Sequence, residues 1–290
     1  MTAPNSTPNS AILLLSCPDQ RGIVASVTEF ISNNNGNIIN LHEHVDSQEG
    51  VLLMRVEWDL DGFSLAAAEI SPTFEAIANR FGMEWSVHCA TDVPRMAVFV
   101  SRESQCVYDI LARYHSQEWR VEIPLMISNH RLLESVANDF GIPFHHFPIT
   151  TETKREQEDR ELALLAEHQI DLVVLARYMQ ILTDRFVDRY ANQIINIHHS
   201  FLPAFPGARP YHSAHQRGVK IIGATSHYVT ADLDEGPIIA QDIASVSHRD
   251  SVADFIRKGK DLEKVVLARA IGYHLQHRTI AYNNRTVVFA

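Results

Sequence analysis

The chain has 290 residues, 46% of them hydrophobic and 21% charged, and a formal net charge of −10. That length and apolar content suffice for a sizeable core in one or two domains, while the negative balance argues against nucleic acid or an anionic membrane as partner, since both select basic surfaces. No apolar run reaches the roughly 18 residues of a membrane span.

The N-terminal "MTAPNSTPNS" has neither the basic region nor the apolar core of a secretory leader, so residues 1–9 read as a disordered lead-in and the protein as cytoplasmic. Residues 11–16, "AILLLS", read as a buried strand. "CPDQRG" breaks it, with Asp19 as the expected N-cap of a helix whose Ile23, Val27, Phe30 and Ile31 share one face. "NNNGN" ends that helix, with Gly36 suited to a left-handed cap. Residues 38–46 and 51–58 read as strands joined by "SQEG", the second half-exposed because Leu53, Arg55 and Glu57 alternate with Leu52, Met54 and Val56. A helical stretch interrupted near Pro72 and a strand at "MEWSVHCA" complete a βαββαβ order, the ferredoxin-like split unit.

"TDVPR", residues 91–95, reads as a linker. Beyond it, "MAVFVS" (96–101), "VEIPLMIS" (121–128), "IDLVVLA" (170–176) and "QIINIHHS" (193–200) are candidate strands, separated by helical stretches near 104–116, 130–140 and 152–168. This alternation predicts a doubly wound, mostly parallel α/β sheet. "TKREQEDRELALLAEH" reads as a solvated crossover helix, residues 220–229 and 237–246 as an added hairpin or edge, and the region from Asp250 as a long closing helix. The three scattered cysteines, Cys17, Cys89 and Cys106, fit reduced thiols.

Ligands of open α/β sheets bind beyond the carboxyl ends of the strands. There the chain reads "INIHHSFLPAFPG" (195–207), with Pro203, Pro206, Gly207 and Pro210 bracketing a loop. In a strand, residues i and i+2 share a face, so Asn196 and His198 project together and His199 points away. An amide beside an imidazole makes a donor pair for a developing oxyanion. "TADLDEGP" (230–237) supplies Asp232, Asp234 and Glu235, and a carboxylate beside an imidazole favours its charged form. With no activated Ser or Cys, the set points to acid–base and electrostatic catalysis on an acyl group; the competing reading is an Asn and a His that close loop hydrogen bonds. A zinc site built from His198, His199, His212, His215 and His227 is a rival, but zinc needs three or four convergent ligands and alternation splits the first pair, so no metal is expected. His42 and His44 read as surface or subunit-contact residues. His145 and His146, at a strand end, either pack beside the loop or approach the site.

"INIHHSFLPAFPGARPYH" (195–212) followed by "GATSHYVTADLDEGPIIAQD" (223–242) resembles the folate-dependent formyltransferase family, whose hallmark is Asn-x-His…Leu-Pro…His…Leu-Asp-x-Gly-Pro. The likeness covers roughly residues 95–290, and residues 1–91 resemble an ACT regulatory domain. With the doubled His198-His199, the whole is similar to the hydrolytic branch of the family, which cleaves 10-formyltetrahydrofolate to formate and tetrahydrofolate, feeds formate to purine synthesis and balances the one-carbon folate pool. The resemblance implies that Asn196 hydrogen-bonds the formyl oxygen. It implies that His198 stabilises the oxyanion and shuttles a proton, and that Asp234 pairs with His198 and handles water. Met179, Gln180, Ile181 and Leu182 of "YMQIL" would line a pterin pocket, with Thr230, Asp232 and Leu233 of loop 230–236 as its other wall and His199 and Ser200 in support.

No cofactor is implied; the folate is the substrate. Ribonucleotide transformylases of the family carry a Gly-rich phosphate loop after their first strand, whereas "FVSRESQCVYDIL" has no glycine there, so water is the expected acceptor. Gln105 stands where hydrolytic members often carry His. The ACT likeness implies a homo-oligomer, tetramer or hexamer, and an amino-acid effector such as methionine or glycine near Asp19, Gly22 and Asn37. The alternatives are transfer to a small amine or a nucleotide such as glycinamide ribonucleotide, or to a tRNA, and a non-catalytic amino-acid sensor. An acidic chain ending at Ala290 disfavours the tRNA acceptor, and the complete Asn196, His198, Asp234 set disfavours the sensor.

Overall fold

The computed structural model describes residues 9–204 and 210–289; the lead-in before residue 9 and the loop residues Pro206 and Gly207 lie outside the described residues. The chain divides into two units. One comprises the described part of Met1–Asp92 with His277–Ile280 and Val287–Ala290, the other Val93–Gln276 with Ala281–Thr286. Among the described residues no helix is long and apolar enough to cross a membrane.

The first unit runs β1 (Ser10–Pro18), α1 (Ile23–Asn33), β2 (Asn37–Asp46), β3 (Val51–Asp59), α2 (Ala67–Phe81), β4 (Glu84–Cys89), with sheet order β2-β3-β1-β4 and antiparallel pairing throughout. Ile23, Val27, Phe30 and Ile31 are the buried face of α1, as their spacing predicts. They meet Leu13, Leu15, Met54, Val56 and Trp58 of the sheet and Ile70 and Phe74 of α2. Four expectations are corrected. Asp19 is not the N-cap, because β1 extends to Pro18 and the cap position falls on Gly22 at φ 93. Asn35, not Gly36, takes the left-handed conformation. Gly36 is needed for space instead, since a Cβ there would lie 2.6 Å from Ile31 Cγ2. Pro72 sits inside an unbroken α2. Finally, β3 is buried on both faces, for Leu53 and Arg55 are as covered as their neighbours; Arg55 Nε donates to the His277 carbonyl at 2.9 Å and its guanidinium pairs with Glu57.

The second unit contains β5 (Arg95–Val100), α3 (Gln105–His115), β6 (Glu122–Ser128), α4 (Glu134–Asp139), β7 (Phe144–His146), α5 (Lys154–Glu167), β8 (Leu172–Ala176), α6 (Asp184–Arg189), β9 (Ile194–His198), α7 (Pro210–Arg217), β10 (Ile221–Tyr228), β11 (Ile238–Ser245) and α8 (Val252–Leu275). Strands β12 (Thr279–Tyr282) and β13 (Arg285–Val288) then form a hairpin that periodicity did not announce. The large sheet has order β11-β10-β9-β8-β5-β6-β7, parallel from β9 to β7 and antiparallel for β10 and β11. Every residue of β8, "LVVLA", is buried, as befits a parallel strand covered on both sides. Val98, Val174, Ile195 and Ile197 face Val107, Ile110, Val266 and Ile271 on α3 and α8. Ala97, Val173, Leu175 and Ile194 face Leu165, Phe186 and Val187 on α5 and α6.

The strand order reverses between β5 and β8, so the crevice beyond their carboxyl ends is the place where such a sheet receives a ligand. The turn after β5, the segment after β8 and the end of β9 all border it. His145 and His146 close β7, four strands from β9 and so about 19 Å away at ~4.8 Å per strand, which sets them apart from the end of β9. Helix α5 is not simply solvated: Glu158 and Glu161 are buried on its inner face.

Candidate active site

Strand alternation holds at the end of β9. Asn196 and His198 lie on one face, opposite His227 and Thr225 of β10 in the antiparallel ladder. His198 Nδ1 is 3.1 Å from Asp234 Oδ1, and His227 Nε2 is 3.7 Å from the same oxygen. The His198 contact is the largest of the causes that hold the Asp234 carboxyl far below the usual carboxylate range. Asp234 is therefore ionised at any working pH. His227 Nδ1 lies 2.8 Å from the Tyr228 carbonyl, an acceptor, so that nitrogen carries the hydrogen. Its Nε2 is then free to accept from Asn196 Nδ2 at 3.2 Å, which turns the second amide hydrogen of Asn196 elsewhere. His198 Nε2 is buried and has no hydrogen-bond partner among the described residues. Buried polar atoms are nearly always paired, so this nitrogen is open to a hydrogen bond from a bound group.

Local structure makes this group. Asp234 has φ 59, a left-handed backbone that Asp tolerates better than most residues. Gly236 closes the same turn against β10, where a Cβ would lie 1.8 Å from the Tyr228 carbonyl oxygen. Asn284 Nδ2 donates to the Glu235 carbonyl at 2.8 Å and braces the loop. After β9, Thr225 Oγ1 donates to the Ser200 carbonyl and accepts from Leu202 N, while Gln241 Nε2 donates to both Thr225 and the Leu202 carbonyl. Ser200 Oγ is buried without a partner among the described residues, so no base activates it as a nucleophile.

His199 departs to the other face. Its Nδ1 accepts from Arg177 Nη1, and its ring lies 6.1 Å from that of Tyr211. The segment after β8 is pinned at Tyr178 Oη, which donates to Glu161, at Met179 N, which donates to Ser101 Oγ, and at Thr183, whose N and Oγ1 both donate to Glu158. This leaves Met179 and Ile181 as exposed apolar side chains and Gln180 half-buried; across the site Leu233 and Asp232 are exposed and Thr230 is half-buried, its hydroxyl donating to the Asp232 carbonyl. The Leu182 side chain belongs to the core with Phe186 and Leu165, which leaves its backbone as the part available to a ligand.

Asp19 and Gly22 lie in the β1–α1 turn, but Asn37 does not join them. Asn37 and Ser10 both align with Asp59, whereas Pro18 aligns with Val51, so Asn37 sits at the opposite end of the sheet, about 26 Å away at ~3.3 Å per residue. The helix between them carries the chain back to that end. His212 and His215 are exposed on α7, and no group of three or more His, Cys, Asp or Glu placed to hold a metal occurs among the described residues. The sequence reading gave no role to Arg177, Glu263, Thr225 or Gln241, and it named His227, which lies beside Asn196, only as a candidate zinc ligand. For His227 a signal existed, since it is the lone His of the motif stretch before Asp234, on the strand paired with β9.

A formyl transferase family model matches residues 94–271. A relative from Synechocystis, named formyltetrahydrofolate deformylase, is 59% identical over 97% of this chain and 99% of its own length. One of the same name from Bacillus subtilis is 45% identical over 96% and 93%. The crystal structure of a formyltetrahydrofolate deformylase from Pseudomonas syringae is similar at a TM-score of 0.96 and 44% identity, covering 99% of this chain and 96% of that one. A glycinamide ribonucleotide transformylase from Symbiobacterium toebii is similar at a TM-score of 0.65 and 27% identity, over 70% of this chain and 97% of its own.

Proposed function

The chain belongs to the formyl transferase family, and from that membership and the geometry at the end of β9 we infer that it hydrolyses 10-formyltetrahydrofolate to formate and tetrahydrofolate. The observation that carries the mechanism is the Asn196–His198–Asp234 group, with no base hydrogen-bonded to the neighbouring Ser200 among the described residues. The relatives of matching length and fold carry the hydrolase's name.

Water adds to the formyl carbon, the C=O pair moves onto oxygen, and the C–N10 bond then breaks with its electrons passing to N10, which must gain a proton to leave as an amine. Asn196, with one amide hydrogen held by His227, directs the other at the formyl oxygen. His198 reaches the reacting group through Nε2 while Asp234 holds Nδ1. A carboxylate so far below its usual range is a weak terminal base. Asp234 therefore holds Nδ1–H and stabilises the imidazolium, while His198 Nε2 takes the water's proton and passes it to N10. No cofactor enters these steps.

Exposed Met179, Ile181 and Leu233, with Gln180, Thr230, Asp232 and the backbone of Leu182, suit the two walls of a pocket for a flat pterin. The glycine-free turn "SRES" at 101–104 gives no observation in favour of a ribonucleotide acceptor. The βαββαβ unit is read as an ACT module that answers to methionine or glycine within a cytoplasmic homo-oligomer, a tetramer or hexamer that supplies formate for purine synthesis. Its edge strand β2, with Ile39 and Val45 exposed, supports pairing between subunits. Formate release by the purified protein, with no acceptor amine and with methionine or glycine added in turn, tests both parts. One tetrahydrofolate per formate is expected, and a requirement for an amine acceptor would contradict the hydrolysis.

A further inference from the structure

Glu263, on the inner face of α8, is 1% exposed, yet none of the steps above uses it. Two hydrogen-bond donors and one guanidinium, the latter as an ion pair beyond hydrogen-bond reach, meet its carboxylate from three other segments. Tyr211 Oη of α7 lies 2.7 Å from Oε1, Gln105 Nε2 at the start of α3 lies 2.8 Å from Oε2, and Arg177 Nε after β8 lies 3.6 Å from Oε2. Burial raises the Tyr211 hydroxyl's pKa, which keeps it a donor. A buried carboxylate costs several kcal/mol unless paired, so this convergence is what allows the charge to remain there. Gly259, one turn earlier on α8, makes the approach possible, because a Cβ there would lie 2.1 Å from the Tyr211 ring.

The contact that matters for catalysis runs onward through Arg177. A guanidinium only donates, so His199 Nδ1, which receives Arg177 Nη1, is an acceptor; His199 is therefore neutral and carries its hydrogen on Nε2. Its ring lies 5.1 Å from that of His198. Arg177 also has φ 61, a left-handed backbone that a non-glycine residue keeps only where its surroundings hold it. It opens the segment that continues into Met179 and Ile181.

We propose that Glu263 is a positioning residue of the hydrolysis: seated by Tyr211 and Gln105, it anchors Arg177, and Arg177 fixes the tautomer and orientation of His199 beside His198. The inference rests on the hydrolytic reading of the same site. Glu263→Gln keeps the shape and removes the charge, and Arg177→Lys keeps the charge and removes the fork that reaches both partners. Misplacement of a reacting group by about 1 Å costs up to ~10²-fold in rate. We therefore expect kcat for formate release to fall by about 10- to 100-fold in each variant.

The KM for 10-formyltetrahydrofolate should stay within about threefold, and the double variant should be no more than about threefold worse than the poorer single, because both act through one contact. A structural role alone would lower the melting temperature and leave the kcat of the folded enzyme unchanged. Wild-type kcat in folded Glu263→Gln, or multiplied losses in the double variant, would overturn the proposal. If Glu263→Gln does not fold, Arg177→Lys decides alone: a loss of about tenfold or more supports the proposal, and wild-type turnover overturns it. Absence of formate release by the wild-type protein would instead overturn the hydrolytic reading.

Discussion

Asp234→Asn isolates the charge at the centre of the site. Asn tolerates the left-handed backbone at φ 59 as well as Asp does, so the loop should keep its path. What is lost is the attraction between the carboxylate and an imidazolium 3.1 Å away. Coulomb's law at that separation gives about 5 kcal/mol at an effective dielectric of 20 and about 1.3 kcal/mol in bulk water. Asp234 is partly exposed, so a value near 2.5 kcal/mol is reasonable, which is close to 100-fold in rate at ~1.4 kcal/mol per decade. The assay is steady-state formate release from 10-formyltetrahydrofolate, with circular dichroism to confirm the fold. A loss of roughly 10²-fold in kcat is expected. A folded variant within about threefold of wild type would refute the pairing as the source of catalysis. The native carboxyl is depressed, so the stability it contributes is present above about pH 4 and fades as pH falls towards the native value. The Asp234→Asn and wild-type proteins should therefore differ in stability at pH 7 and converge in strong acid.

Asn196→Ala should lose about 10²–10³ in kcat as one oxyanion donor is removed, with the melting temperature changed little; turnover near wild type would exclude the role. Glu161, 0% exposed, has its carboxyl pushed up to about 8, chiefly by burial. Between its ordinary value and that one, the folded protein holds the proton and the unfolded chain releases it, so stability falls as pH rises through the window. Glu161→Gln should flatten that decline and raise stability at pH 9 by on the order of 2–4 kcal/mol, read by denaturant titration at pH 5, 7 and 9. Gly236→Ala should destabilise by about 1–3 kcal/mol and depress kcat together, because the added methyl meets the Tyr228 carbonyl oxygen at 1.8 Å.

The parts of the molecule legible in the sequence are those with a local repeat. The face of α1, the strand order of the first unit and the separation of Asn196 and His198 from His199 all follow from periods of 3.6 and 2. Asp234 was legible as a motif, together with the glycine its turn requires. Contacts between distant segments were not. Glu263 meets Gln105 across 158 positions, and Arg177 meets His199 across 22, with no spacing to announce either. The same limit explains Glu158 and Glu161: a helix with charges on several sides looks solvated until the partners Tyr178 and Thr183 are known. It also explains Arg55 and the buried outer face of β3, which depend on a carbonyl 222 positions away. Asn37 lies apart from Asp19 and Gly22 for a simpler reason, since the intervening helix returns the chain to the far end of the sheet.

Hydrolysis makes water the acceptor of the formyl group. Turnover of 10-formyltetrahydrofolate in ¹⁸O-labelled water, with no amine present, measures this directly. One labelled oxygen in each formate released, with tetrahydrofolate formed in equal amount, is the predicted result. Formate that carries no label, or no turnover until an amine acceptor is supplied, would contradict it.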